Sequence, residues 1–190
     1  MKDPNVKSVI EGLRSDADVS WAVDWIINRY TERLYWHIRR IVVLHEDAED
    51  ALQDTFVVAY NSAQEFRGEV ESSLTAWLYK IATSVAIRYL KKRRKYIFSS
   101  VDSVSSLLLA DFDGEIACDA DQIATRLQRA VVELPVKQKL VFNMRYYDEM
   151  SFEQISKATG MSVSTLKTNY HYAVTKIKQK VVEFDYEQDE

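Results

Sequence analysis

Six basic side chains fall within eight residues of the stretch IRYLKKRRKY, residues 87–96. Positive charge at this density is typical of a surface that binds nucleic-acid phosphates. The alternative is a solvated helix end, because the helix dipole favours cations near a carboxyl terminus. The six bases are Arg88, Lys91, Lys92, Arg93, Arg94 and Lys95.

A second polar group follows Gly160 in GMSVSTLKTNYHYAVTKIK, residues 160–178. Ser151 and Gln154 have the spacing of a capping box that opens a helix. Gly160 supplies the positive φ of a tight turn, and Ser162 can cap the next helix. Small hydroxyl groups followed by Lys and His suit phosphates and base edges. This pattern predicts a DNA-binding helix-turn-helix, with a solvated helical hairpin as the alternative. Its outer face comprises Ser164, Thr165, Lys167, Thr168 and His171.

Five carboxylates lie within the nine residues EDAEDALQD, residues 46–54. In a helix they fall largely on the face opposite Leu52 and Phe56, with Gln53 beside them. Such a face indicates docking of a basic protein, although a solvated surface is the alternative. The match of HEDAE to the zinc motif His-Glu-x-x-His fails, because position 49 is Glu and no second histidine is near.

The formal charge of −4 is distributed unevenly along the 190 residues. Residues 1–98 carry +1, residues 99–125 carry −6, residues 126–182 carry +6 and residues 183–190 carry −5. The acidity therefore belongs to a connector and a tail, whereas the predicted helix-turn-helix is basic. Overall negative charge discourages indiscriminate DNA binding.

Composition argues against several classes of protein. The single cysteine, Cys118, excludes an internal disulfide and a cysteine-based zinc site, and suits the cytoplasm. No apolar run approaches the roughly 18 residues of a membrane span, and the amino terminus has no signal core. Because no nucleophile–base set, metal cluster or phosphate loop is present, we expect neither an enzyme nor a cofactor. His37 and His45 are predicted to be packing or surface residues.

Only four glycines and two prolines occur, which disfavours a β-rich fold. Apolar residues recur at helical spacing over residues 19–44, 48–60, 73–96 and 124–182, whereas 61–73 indicate mainly a loop. The fold class is therefore all-α.

The helices divide between two small domains, residues 1–98 and 125–182. An acidic, serine-rich flexible linker, residues 99–124, joins them, and an acidic tail, residues 183–190, follows.

Three segments resemble regions 2 and 4 of bacterial sigma factors, in particular the extracytoplasmic-function (ECF) group of the sigma-70 family. They are EDAEDALQDTFVVAY, FRGEVESSLTAWLYKIATSVAIRYLKKRRK and ELPVKQKLVFNMRYYDEMSFEQISKATGMSVSTLKTNYHYAVTKIK. The resemblance covers about residues 8–98 and 124–182 in the family's order. It implies a transcription initiation factor that binds core RNA polymerase, directs it to −10 and −35 promoter elements, and assists DNA melting.

The resemblance also implies roles for matching residues. The polymerase-binding segment, which faces the β′ clamp helices, includes Asp47, Asp50, Gln53, Asp54 and Phe56. The loop around residues 66–74 is similar to one that captures an unstacked base of the −10 element, so that binding energy drives melting without ATP. The −10 contacts implied are Phe66, Arg67, Ser84, Arg88, Lys91, Lys92 and Arg94. The outer face of the helix-turn-helix, named above, corresponds to the −35 contacts.

Some positions depart from the family pattern. Ser84 stands where many relatives have Asn, Asn169 and Tyr172 where many have Arg, and Ser156 where Ala is usual. These differences affect the expected promoter sequence rather than the function. Trp77 is a candidate for base stacking or for the core, with its spacing to Ile81 favouring the core.

The implied partners are core RNA polymerase, through its β′ clamp helices and β flap, and promoter DNA. An anti-sigma factor is a further hypothesis, and the free protein is expected to be a monomer without membrane insertion. The linker acids are predicted to act as a placeholder in the polymerase. The alternatives are a stand-alone repressor, which would bind DNA tightly without polymerase, and an adaptor that binds only protein.

Overall fold

The computed structural model describes residues 5–42, 44–97 and 122–186. The described residues are helical with no strand among them, which confirms the all-α prediction. Most of the predicted linker, Cys118 and the last four tail residues lie outside these ranges.

The amino-terminal half contains four α-helices and one short 3-10 helix among the described residues. They are α1 (Val6–Leu13), α2 (Val19–Arg39), α3 (His45–Asn61), the 3-10 turn (Ala63–Glu65) and α4 (Glu71–Ile97). The carboxyl-terminal half contains α5 (Gln122–Val132), α6 (Val136–Tyr146), α7 (Phe152–Thr159) and α8 (Val163–Tyr186).

The chain divides into two compact units, and this division differs from the predicted domain boundaries at the end of α4 and at α7. Among the described residues, the first unit comprises 5–42, 44–92 and 153–160, and the second comprises 93–97, 122–152 and 161–186. The short helix α7 thus groups with the first unit although it lies late in the sequence.

Helix α3 approaches α2 closely because its inner face is small. Ala48, Ala51, Thr55 and Ala59 are fully buried, and the Thr55 hydroxyl donates to the Ala51 carbonyl at 2.7 Å. The larger Leu52 and Phe56 lie at the margin and are half-buried. Close packing of α3 on α2 therefore leaves the wide side chains of α3 near the surface.

Two buried polar residues of α2 have hydrogen-bond partners on α4. His37 Nε2 lies 2.9 Å from the Thr83 hydroxyl, and its ring meets the edge of Tyr79. Tyr30 pairs with Thr75 at 3.2 Å. These pairs join α2 to α4 and show that His37 is a packing residue, as predicted.

The second unit is built on the inner face of α8, which packs against α5 and α6. Its core contains aromatic and aliphatic side chains from all three helices: Ala130, Val131, Leu134, Phe142, Ala173 and Ile177. Helix α6 begins after Pro135, whose carbonyl accepts a hydrogen bond from Lys139 N at 2.9 Å. Pro135 stands one residue before the first helical position, where its fixed φ of −54° suits the start of a helix.

Candidate functional site

The predicted docking residues on α3 do not all face one way. Asp50 and Gln53 are exposed on the side away from the buried alanines. Asp47, Asp54 and Phe56 are half-buried. Two of the five residues are thus exposed to a partner protein.

Asp54 is held by α4. Its Oδ2 accepts hydrogen bonds from Arg88 Nη2 and from the Tyr89 hydroxyl, each at 3.1 Å. Burial, and next the hydrogen bond to Asp54, raise the pKa of Tyr89. The phenol hydroxyl is the donor of this bond, because an ionised carboxylate only accepts. The fold therefore joins a residue predicted for polymerase binding to one predicted for DNA binding.

An apolar groove of about 330 Å³ lies between α2 and α3. Phe56 forms part of its wall together with Val57 and Tyr60, and Val23 and Ile27 face them from α2. Tyr60 ends the apolar stretch of residues 48–60, yet it is 46% exposed because the small residues of α3 hold the contact with α2. The helical spacing of apolar residues predicted α2 and α3, but it did not predict that these side chains would line an open groove.

The predicted −10 loop lies between the 3-10 turn and α4, and it buries Phe66. That side chain is only 5% exposed, because its ring packs against Trp77 with centroids 5.0 Å apart. Phe66 thus differs from the exposed contact expected from the sequence, and Trp77 is half-buried as its partner. The neighbouring Arg67, Glu69 and Val70 are exposed.

Two residues missed in the sequence hold this loop. Arg14 donates to the carbonyl oxygens of Phe66 and Gly68, and Asp16 accepts a hydrogen bond from Gln64. Arg14 and Phe66 are separated by 52 positions. No local pattern signals such a contact, since it depends on how α1 packs.

Helix α4 presents a row of exposed polar side chains at spacings of four, four and three residues. Lys80, Ser84, Arg88 and Lys91 therefore share one face, with Lys92 beside them. Lys80 was not predicted, although its spacing to Ser84 is a signal that could have identified it. The side chain of Arg94 lies outside the described residues.

All five predicted −35 residues are exposed on α8, namely Ser164, Thr165, Lys167, Thr168 and His171. The turn before them is as predicted. Gly160 has φ 74°, and Ser162 Oγ accepts from Thr165 N at 3.2 Å, which caps the helix. Thr168 donates to the Ser164 carbonyl at 3.0 Å, so its rotamer is fixed by the helix itself.

Aromatic rings support the amino-terminal turns of α8. Tyr170 stacks on Phe142 at 6.1 Å and meets the edge of Phe152 at 5.8 Å. Lys167 Nζ lies 6.0 Å from the Phe152 ring centroid. The outer face of α8 is thus backed by a packed inner face, which fixes its orientation within the second unit.

The described residues contain neither a metal site nor a membrane-spanning helix. Within residues 5–42, 44–97 and 122–186, no group of His, Cys, Asp or Glu side chains has the arrangement of a metal site. No helix there combines the length and apolar character needed to cross a bilayer.

The two halves of the chain match two regions of one family. Residues 26–96 match Sigma-70 region 2, and residues 124–177 match Sigma-70 region 4. These spans contain α3, α4 and the helix-turn-helix, in the family's order.

Similar proteins include bacterial sigma factors. The RNA polymerase sigma factor YlaC of Bacillus subtilis is 31% identical over 158 residues, covering 80% of this chain and 87% of YlaC. The ECF RNA polymerase sigma factor SigW of the same organism is 27% identical over 154 residues, covering 77% and 81%. A crystal structure of the sigma factor RpoE with the anti-sigma factor NepR, from Bartonella quintana, has a TM-score of 0.62 at 18% identity and covers 83% of this chain and 95% of that one.

Both sigma-70 regions are present in order on an all-α fold, and YlaC matches along most of its length. On this evidence the chain belongs to the sigma-70 family of RNA polymerase sigma factors, in its extracytoplasmic-function group.

Proposed function

We propose that this sigma factor binds the β′ clamp helices of core RNA polymerase through α3, with Asp50 and Gln53 at the centre of the contact. Both side chains are exposed, and they stand on a helix whose buried face packs against α2. Carboxylates on a rigid helix attract a basic partner surface and fix its register. Sigma factors act in transcription initiation and are not enzymes, so binding is the chemistry to be explained.

The observation that carries the proposal is the pairing of Asp54 with Arg88 at 3.1 Å. It sets the acidic helix α3 beside the basic row of α4 within one unit. A polymerase held on α3 would therefore have the DNA-binding row of α4 immediately next to it. In this proposal the −10 contacts of α4 are Lys80, Ser84, Arg88, Lys91 and Lys92. Arg94 is also proposed as a contact, on the basis of the sequence prediction alone.

Melting of the −10 element is assigned to the loop between the 3-10 turn and α4. Capturing a base outside the duplex exchanges its stacking for contacts with protein. Arg67 and Val70 are exposed, and the Arg67 guanidinium also donates to the carbonyl oxygens of Gln64 and Phe66. The Phe66 ring supports the loop from beneath.

Recognition of the −35 element is assigned to the outer face of α8. Its hydroxyls, Lys167 and His171 lie within the first three turns, where a recognition helix meets base edges and phosphates. Contact with the polymerase β flap is proposed for the second unit, on the basis of the family resemblance alone.

The proposal includes three further assignments. The protein acts in the cytoplasm, it is a monomer when free, and an anti-sigma factor is a further candidate partner. The Bartonella quintana structure contains such a partner bound to a protein of this fold.

Size-exclusion chromatography with bacterial core RNA polymerase tests the docking face. The test variant is Asp50→Arg/Gln53→Arg, which leaves the Asp54–Arg88 pair intact. Its matched control is Glu32→Arg, a charge reversal at an exposed position of α2. We expect wild type and control to co-elute with polymerase and the test variant to elute alone, with circular dichroism showing that all three are folded.

Co-elution of the double variant would refute α3 as the docking face. If no version associates, and the free protein binds duplex DNA tightly, the assignments to polymerase fail and the repressor alternative replaces them.

A further inference from the structure

We propose that Arg14 is a positioning residue for the −10 loop, and that α1 is therefore a working part of promoter melting. The inference rests on the proposed function of that loop. Helix α1 and Arg14 precede residue 26, where the match to Sigma-70 region 2 begins. The inference therefore gives a role in melting to α1 and Arg14, which lie outside the matched region.

Arg14 clamps the loop through its backbone. Its Nε donates to the Phe66 carbonyl at 3.2 Å, and its Nη2 donates to the Gly68 carbonyl at 2.6 Å. The two acceptors flank Arg67, so the planar guanidinium spans the residue that the loop presents to solvent. A fork of donors in one plane fixes orientation as well as distance, which a single ammonium does not do.

Other contacts hold the same loop from two more sides. Asp16, just beyond Arg14, accepts a hydrogen bond from Gln64. Beneath the loop the Phe66 ring packs on Trp77. A side chain at position 68 would collide with that ring, since an added Cβ would lie 2.3 Å from Phe66 Cζ. Arg14 therefore completes a set of anchors around a short loop whose outward side chains remain exposed.

Positioning matters here because base capture has a cost. The base must leave its stack, and a loop that became ordered only at that moment would add its own conformational entropy. A loop already held in shape avoids this second cost, so more of its binding energy goes into melting. Loss of the clamp should slow melting without weakening the attachment of sigma to polymerase.

The obvious competing explanation is that Arg14 acts by charge, through attraction of DNA phosphates. Arg14→Lys separates the two explanations, because it keeps the charge but cannot bridge both carbonyls. Arg29→Ala is the matched control, since Arg29 is an exposed arginine on α2.

The experiment combines two measurements on wild type, Arg14→Ala, Arg14→Lys and Arg29→Ala. Hydrogen exchange of the full chain reports the order of residues 64–70. Permanganate reactivity of unpaired thymines reports melting by the reconstituted holoenzyme, on a promoter that the wild-type holoenzyme selects from a randomised −10 library. In Arg14→Ala we expect both an exchange rate in the loop about tenfold higher and a melting rate about tenfold lower, because charge-assisted hydrogen bonds are lost. Arg14→Lys should show exchange and melting rates between those of Arg14→Ala and wild type. Arg29→Ala should match wild type in both rates.

Several results would overturn the inference. Unchanged exchange in Arg14→Ala would show that the residue does not hold the loop, and faster exchange with unchanged melting would show that the hold is only structural. Full recovery by Arg14→Lys would assign the effect to charge. If circular dichroism shows that Arg14→Ala does not fold, Arg14→Lys alone tests the inference. Wild-type exchange and melting rates in Arg14→Lys would then refute it. Failure of the wild-type holoenzyme to melt any selected promoter would instead refute the proposed function, and the inference with it.

Discussion

Two glycines illustrate how residue type acts at the smallest scale. Gly160 adopts φ 74° in open space, so it is required by backbone conformation. At Gly68 the requirement is for space, because an added Cβ would lie 2.3 Å from Phe66 Cζ and 2.6 Å from Ser73 Cβ. The same residue type therefore ends a helix in one place and seats an aromatic ring in another.

Gly68→Ala should destabilise the protein because the loop or the Phe66 ring must shift. Overpacking of this kind costs about 1–3 kcal/mol in the free energy of unfolding, which urea denaturation measures. Gly160→Ala is the matched comparison, and should cost about 1 kcal/mol through its left-handed backbone alone.

Gly68→Ala and Gly160→Ala should also differ in their effect on promoter melting. Gly68→Ala should reduce promoter melting more than its loss of stability explains, since it disturbs the −10 loop. A Gly68→Ala protein with the stability and melting rate of wild type would contradict the close packing described for this loop.

Single residues were predictable from sequence only where their partners are near in the chain. The Ser162 cap and the Gly160 turn depend on neighbours within a few positions, and both are confirmed. Phe66 was expected to be exposed, but its ring packs on Trp77, and Arg14 contacts its backbone from 52 positions away. Such contacts arise from tertiary packing, which helical periodicity does not encode.

At the scale of elements, α8 performs two tasks with two faces. Leu166 and Ala173 are fully buried on one side, while Lys167 and His171 are exposed on the other. A recognition helix needs this division, because only a firmly packed helix presents its outer side chains in a fixed geometry.

Lys167→Ala should weaken binding of the holoenzyme to −35 DNA about equally for all sequences. Loss of one phosphate contact is expected to reduce the slope of log K against log salt by about 1. Fluorescence anisotropy over a range of salt concentrations measures both quantities. Lys176→Ala, a loss of the same charge from a different face of the same helix, should leave them unchanged. A strong preference change for one base at one position would instead show that Lys167 contacts a base edge.

Element positions were largely predictable because helical periodicity is strong. A helix was expected from about Ser73 to Tyr96, and α4 spans Glu71–Ile97. The first apolar stretch was expected to extend to residue 44, whereas α2 ends at Arg39. Apolar residues continue beyond that end, so the pattern alone does not mark where the helix stops.

The distribution of charge along the whole chain explains how an acidic protein can have DNA-binding surfaces. Ten bases and four acids occupy residues 126–182, while residues 99–125 carry six acids and no base. Negative charge separate from the binding faces lowers the affinity of the free protein for arbitrary DNA. Specific binding is then favoured when polymerase supplies further contacts.

Replacing the six acids of residues 99–125 by their amides changes the formal charge from −4 to +2. We expect stronger non-specific DNA binding by the free protein, and weaker initiation or promoter escape by the holoenzyme. Gel-shift titration, transcript yield and the pattern of abortive products measure these effects. Amide replacement of the five acids in residues 183–190 is the control for charge alone. Unchanged transcription by the linker variant would refute the prediction that the linker acids act as a placeholder in the polymerase.

The pairing of Asp54 with Arg88 and Tyr89 has a consequence for genetics. A substitution at Asp54 alters the acidic helix and at the same time releases a base and a hydroxyl on α4. Its phenotype therefore combines two defects, and second-site suppressors should arise on α4 as well as in polymerase. Asp50 acts on Tyr89 of α4 only through its charge, and it makes no hydrogen bond to α4 among the contacts described. Suppressors of an Asp50 substitution should map to polymerase, which makes Asp50 the cleaner starting allele for finding the subunit that sigma touches.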